Sequence, residues 1–213
     1  MNDILDKFRS KIEGAISNLT ALQSEYSAIV SSVISNKIEY SFIKDDKRRD
    51  ELELLSRQMN MHMHGVFTSN KKERFDNICR LAHKQLEGSL KYFFYRYYDG
   101  DLEKFKQEHK SGVERDKLSW DDIKPKSWRG VTFSQMYTVM NFLHRSATWY
   151  SLVKVFNEYR NTLSHFGYFE EIKEKEKDAK FKKFKEDMPV LVIVDLLEET
   201  LLIIQIKLEE RKS

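Results

Sequence analysis

Apolar residues at the start of the chain return every seven positions. Leu5, Ile12, Leu19, Tyr26 and Val33 form one column, and Phe8, Ala15, Leu22 and Ile29 form the other. That spacing is the seam of a helix that packs lengthwise along another helix. It predicts a long helix from Asp3 to about Ile43, weakened slightly by Gly14, whose missing side chain costs helix propensity. The seam has two possible partners: the core of its own domain, or a second copy of the chain. On this pattern residues 1–43 are an arm for dimerisation or packing, and residues 44–213 are the body.

The body reads as further helices with breaks between them. The run Lys44 to Glu51 carries both signs of charge and is expected to be a turn or a polar helical segment. Leu52 to Met63 comes next, and Thr68-Ser69-Asn70 looks like a helix start ahead of Lys71, Lys72 and Glu73. In the next helix Phe75, Ile78, Cys79, Leu81, Ala82, Leu86 and Leu90 share an apolar face that runs into an aromatic block, Tyr92 to Tyr98. Rings interleaved with Lys91 and Arg96 suit base stacking, but on a helix half of them must face the core, so core packing is the expectation. Asp99-Gly100-Asp101 stops that helix.

Residues 102–130, broken by Ser111-Gly112, Pro125 and Gly130, are expected to be an irregular insert, a lid or partner surface, with a short helix start at Ser119-Trp120-Asp121-Asp122. Trp120 and Trp128 are expected to anchor the insert to the body. Thr132-Phe133-Ser134-Gln135 is a capping box that opens a helix with Met136, Val139, Met140 and Leu143 on its apolar side. In the helix after Ser146, Leu152, Val155, Phe156, Tyr159, Leu163 and Phe166 recur at three- and four-residue spacing, and Gly167 is a stop of the kind found just past a helix C-terminus. Glu170 to Lys185 reads as an exposed charged helix or loop. Asp187 with Pro189 is expected to start a closing helix through Leu191, Ile193, Val194, Leu197, Leu201, Ile204 and Leu208, apolar enough for the middle of a bundle.

Composition agrees with an all-α helical bundle carrying a long N-terminal helix: of 213 residues, 40% are hydrophobic and 33% charged, with seven glycines and two prolines. The lone Cys79 excludes an internal disulfide and suits a reducing cytoplasm; its apolar neighbours make it a core residue rather than a reactive thiol. No apolar leader follows Met1-Asn2-Asp3, and the apolar run Val190 to Val194 is far short of a membrane span, so a soluble cytoplasmic protein without a membrane partner is expected. A net charge of +3 permits nucleic acid without requiring it. Phosphate-gripping glycine loops, nucleophile elbows and paired-cysteine motifs do not occur, which excludes kinase, hydrolase and zinc-module readings. His62-x-His64 lacks a third ligand nearby, so no metal and no cofactor are expected.

What remains is a constellation on the helix that ends near Gly167. Arg160, Asn161, Ser164 and His165 occupy the face away from its apolar residues. Five residues of separation give about 7.5 Å of rise and roughly 140° of rotation, so a long arginine can curl toward the imidazole and both can reach one phosphate. The spacing alone says little, because Arg57 and His62 repeat it in a methionine-rich run without a cleanly divided polar face. A plain structural role is the alternative: Arg160 bridging to Glu158 or Asp195, and His165 favoured in its charged form by the helix C-terminus.

The run Arg160-Asn161-Thr162-Leu163-Ser164-His165, on a late helix of an all-α chain, resembles the Arg-x4-6-His motif of the HEPN superfamily, over roughly residues 68–208. The resemblance implies a HEPN-like helical bundle and a metal-independent endoribonuclease acting as a toxin or antiviral defence effector. Its substrate would be RNA, and its products a 2′,3′-cyclic phosphate and a 5′-hydroxyl. It assigns Arg160 to the motif arginine, Asn161 to the polar residue that often stands after it, and His165 to the motif histidine. It also implies a homodimer in which two motifs share one cleft, and a possible antitoxin or defence-system partner. Glu73, Asp76 or Glu87 is the candidate upstream acid. The chain departs from toxins that carry a modifiable tyrosine two residues after the histidine, since Gly167 stands there and the nearest tyrosine is Tyr168. A catalytically silent HEPN-like module that binds a protein or RNA through residues 102–130 and the N-terminal arm is the competing expectation.

Overall fold

The computed structural model describes residues 2–35, 38–115, 127–165, 179 and 182–211, and these are α-helical with no strand among them. The elements are α1 (Asn2–Ser35), α2 (Asp46–Met63), α3 (Lys71–Tyr97), α4 (Leu102–Arg115), a 3-10 turn (Trp128–Gly130), α5 (Phe133–His144), α6 (Ala147–His165) and α7 (Val190–Glu210). A short helical stretch, residues 182–187, precedes α7. None of the helices among the described residues is long and apolar enough to cross a membrane.

Helix α3 is the axis of the bundle, packing most extensively on α2 and α7 and also touching α5 and α6. Its predicted apolar face is the face it buries: Phe75, Ile78, Cys79, Ala82, Leu86 and Leu90 are all inside. Four residues of the aromatic block, Tyr92, Phe93, Phe94 and Tyr98, are buried too, and Phe94 packs on Phe105 of α4 at 5.1 Å. The stop is made by Asp99 and Gly100, whose φ angles of 51° and 80° lie in the left-handed region where glycine carries no Cβ strain. Closing the core from the other side, Trp149 of α6 is fully buried and donates from Nε1 to Thr200 Oγ1 of α7 at 2.9 Å. This bond gives the indole N–H the partner that burial demands.

Several boundaries differ from those expected. Helix α1 ends at Ser35 rather than running to about Ile43, because Ile38, Tyr40 and Ile43 are core residues of the bundle and the chain must turn to deliver them. That turn is held by polar groups: Ile38 N donates to Ser56 Oγ at 3.1 Å, and Tyr40 Oη donates to Gln85 Oε1 at 2.6 Å. The segment expected to be irregular from residue 102 opens with a regular helix, α4, whose Phe105 is fully buried and anchors it. Trp128 does anchor the far end of that segment, donating from Nε1 to Gly100 O at 2.9 Å, whereas Trp120 and the helix start at Ser119 fall outside the described residues. The capping box at Thr132 and Gln135 forms as expected.

On α6 the buried stripe is Trp149, Val153, Phe156 and Tyr159, while Val155, expected inside, is exposed. The last helix is capped by the Pro189 backbone with no side-chain hydrogen bond, so Asp187 is not its cap, and Leu191 is 71% exposed. Within the charged run before it, Phe184 is buried and stacks on Tyr159 with ring centroids 3.6 Å apart. That run is therefore attached to the core at this point, although most of it, with the stop at Gly167, lies outside the described residues.

Candidate active site

The C-terminal part of α6 carries the expected residues along a line that begins inside the protein. Val153 is fully buried, Asn157 one turn later is nearly so, and Arg160 emerges at the surface with Asn161 beside it. Arg160 Nη1 donates to Asn161 Oδ1 at 3.1 Å, which orients the guanidinium plane. A planar fork of this kind grips two oxygens of one phosphate, which a lysine ammonium cannot do. His165 is the last residue of α6, and its side chain is outside the described residues.

Opposite this line stands α3. His83, on the inner side of α3, is buried with 3% of its surface exposed, its ring 4.5 Å from that of Phe133 and 6.2 Å from that of Phe156. Burial pushes its pKa down to about 4, the Arg160 guanidinium adds to the push, and the Glu87 carboxylate and the Asn157 amide oppose it. The imidazole is therefore neutral near pH 7, and its Nε2 has no hydrogen-bond partner among the described residues. Glu87 Oε2 lies 3.9 Å from His83 Nδ1, and Glu87 Oε1 accepts from Lys91 Nζ at 2.7 Å. Asn157 Nδ2 donates to Ser134 Oγ of α5 at 3.1 Å. Three helices thus meet at a small polar nest under Arg160.

Two of the candidate acids on α3 have neighbours in this region. Asp76 Oδ1 accepts from Tyr159 Oη of α6 at 3.2 Å, and Glu87 belongs to the His83 nest. Glu73 instead accepts from Thr68 Oγ1 at 3.0 Å at the start of α3. Burial, followed by Asp76, drives the Tyr159 phenol well above its usual range, so it acts as a permanent donor to that carboxylate. We expect Tyr159→Phe to lower stability by about 1–2 kcal/mol in urea unfolding at pH 7 with the m-value unchanged, since it removes a hydrogen bond to a charged group without opening a large cavity.

The second arginine–histidine pair is not assembled in this way. Arg57 and His62 lie on α2, and His62 packs against Phe67 at 4.8 Å. His83 and Asn157 belong to no motif, yet both are marked by position: His83 falls four residues after Cys79 and three before Leu86, on the apolar side of α3, and Asn157 falls four after Val153. A polar side chain on a core face signals a partner across the interface. Cys79 is a buried free thiol whose pKa burial raises far out of reach of neutral pH. No family model, curated protein or solved structure matches the chain.

Proposed function

We propose that the chain is a metal-independent endoribonuclease of HEPN type, acting as a toxin or antiviral defence effector. His165 serves as general acid or base and Arg160 as phosphate clamp. Asn161 holds the clamp in register. The observation that carries the proposal is the Arg160–Asn161 bond at the exposed end of α6, little more than one turn before His165 and above the polar nest on α3. Cutting RNA without a metal requires a group that exchanges protons near neutral pH and a fixed cation for the charge that grows on the phosphate. Histidine and arginine supply these two functions. The 2′-hydroxyl, on losing its proton, attacks the adjacent phosphorus; the P–O5′ bond breaks and the departing oxygen takes a proton, leaving a 2′,3′-cyclic phosphate and a 5′-hydroxyl. The test is incubation of purified protein with single-stranded RNA in EDTA, with the product ends identified by mass spectrometry. Linear 3′-phosphate ends formed without a cyclic precursor would speak against this chemistry.

A second reading, an interaction module that cuts nothing, is favoured by one observation on α1. Ile12, Leu19 and Tyr26 of one seam column are 56%, 66% and 66% exposed, and Leu22 of the other column is 61% exposed, so between residues 10 and 28 the seam is bare within a single chain. A bare apolar stripe of this length is an association surface. In the endoribonuclease reading its partner is a second copy, which would bring two Arg160–His165 pairs into one assembly. Ile12→Asp combined with Leu19→Asp is expected to halve the mass seen by light scattering. An unchanged mass would exclude the seam as the contact between copies.

A further inference from the structure

On the outer side of α3, away from its buried face, a groove of about 480 Å³ opens between the start of α2, the C-terminal half of α3 and the 3-10 turn. This volume lies within the range of about 300–1,000 Å³ usual for small-ligand clefts. Lys44, Arg48, Arg96 and Arg129 line it together with Tyr95 and Trp128. Lys91 contributes a fifth cation, and Asp45 is the one acid in the lining. Asp45 is already engaged, since its side chain accepts from Arg48 N at 2.7 Å as the cap of α2. Lys91 is neutralised in part by Glu87, and Arg48 leans toward Glu51 at 3.8 Å. Lys44, Arg96 and Arg129 make no ion pair among the described residues.

For a chain whose net charge is only +3, this is a local concentration of positive potential. Its rings are the second half of the observation. Tyr95 is 51% exposed and stands edge-on to Trp128 with centroids 6.2 Å apart, while Trp128 is fixed by its hydrogen bond to Gly100 O. Of the aromatic block, Tyr92, Phe93, Phe94 and Tyr98 are buried and Tyr97 packs partly against the core, so Tyr95 is the exposed ring that α3 turns outward into the cations.

We propose that this groove binds single-stranded nucleic acid: Lys44, Arg96 and Arg129 contact successive phosphates, and Tyr95 offers a plane on which a base stacks. An acidic peptide would satisfy the cations and leave the rings without a function, whereas every nucleotide brings both an anion and a flat face. Bases paired in a duplex do not expose that face, so the strand is single. Lys91 in its lining is ion-paired to Glu87, which borders His83, so the groove and the polar nest are neighbours along α3. In the cleavage reading, the strand held here is the substrate. Only that last link rests on the cleavage reading; the binding does not.

The test is a fluorescence anisotropy titration of full-length protein with labelled oligodeoxyuridylate, whose missing 2′-hydroxyl prevents the cutting proposed above, with the unlabelled strand, a DNA duplex and oligoglutamate as competitors. Binding is expected to weaken with salt at a log–log slope of roughly −2, about −0.7 for each of three phosphates. Arg96→Ala with Arg129→Ala should weaken binding about tenfold or more and flatten that slope by more than one unit. Tyr95→Ala should weaken it at least about fivefold while leaving the slope in place. All three side chains are exposed, so the fold is not at stake. No binding, binding indifferent to these substitutions, or oligoglutamate or duplex competing as well as the single strand would each overturn the proposal. Groove-dependent binding by a protein that cuts no RNA would sink the cleavage reading and leave this one standing; cutting by a protein whose binding ignores the groove substitutions would do the reverse.

Discussion

Arg160→Ala and His165→Ala are each expected to remove cutting of single-stranded RNA in EDTA. For the histidine the loss is about 10²–10⁴-fold, the usual contribution of a positioned general acid or base. The arginine acts differently, on the charge that grows as the phosphate passes through its five-coordinate state. Arg160→Lys separates charge from geometry: the ammonium keeps the cation and loses the planar fork, so activity should fall to a level between wild type and alanine. Asn161→Ala should give a similar intermediate loss, because it removes the bond from the guanidinium to Asn161 Oδ1 at 3.1 Å that helps to orient it. Arg160 is exposed, and its removal leaves the core untouched, so circular dichroism of the variant should superimpose on that of wild type. Undiminished cutting by either alanine variant would sink the assignment of this pair.

Most of the helices, α4 excepted, and most of the core are legible in the chain because they arise from period and punctuation. The capping box at Thr132, the start at Asn70 and the stop at Asp99-Gly100 are local chemistry, in which a side chain or a left-handed residue satisfies nearby backbone groups. Pattern and structure part where the deciding contact is distant in sequence. Nothing near Ile38 announces that the chain must leave its helix so that Tyr40 can reach Gln85, 45 residues later. Nothing near Phe184, in a run dense with lysine and glutamate, announces that it will stack on Tyr159. The stripe on α6 takes Val153 rather than Val155, because both fit a three- and four-residue spacing and only the partner helices choose between them. The site divides in the same way. Arg160, Asn161 and His165 lie within six residues and can be found by motif, whereas the nest beneath them is assembled from α3, α5 and α6 and has no motif.

That nest leads to the second large effect, a loss of stability in mild acid that depends on His83. The imidazole is 3% exposed and its pKa is pushed down to about 4, first by burial and then by Arg160, with Lys91 adding to the push and Glu87 and Asn157 resisting it. Its ordinary value of 6.5 holds in the unfolded chain, so between these two values the unfolded state binds the proton and the folded state does not. Stability therefore rises with pH across this window, is fully present above pH 6.5, and is lost as pH falls toward 4. The loss attributable to His83 should reach about 3 kcal/mol at the acid end, measured by urea unfolding in parallel with His83→Gln, which cannot titrate. The difference between the two curves isolates this residue from the other histidines; if they run parallel from pH 7.5 to 4, His83 is not the group responsible. Arg160→Ala supplies the second control. Removing that guanidinium takes away one of the forces that hold the folded pKa down, so the window should narrow from its acid side and the acid loss should shrink. A change of that sign in a buried α3 residue, caused by a substitution at the exposed end of α6, would establish that the candidate site and the core beneath it are electrostatically one unit.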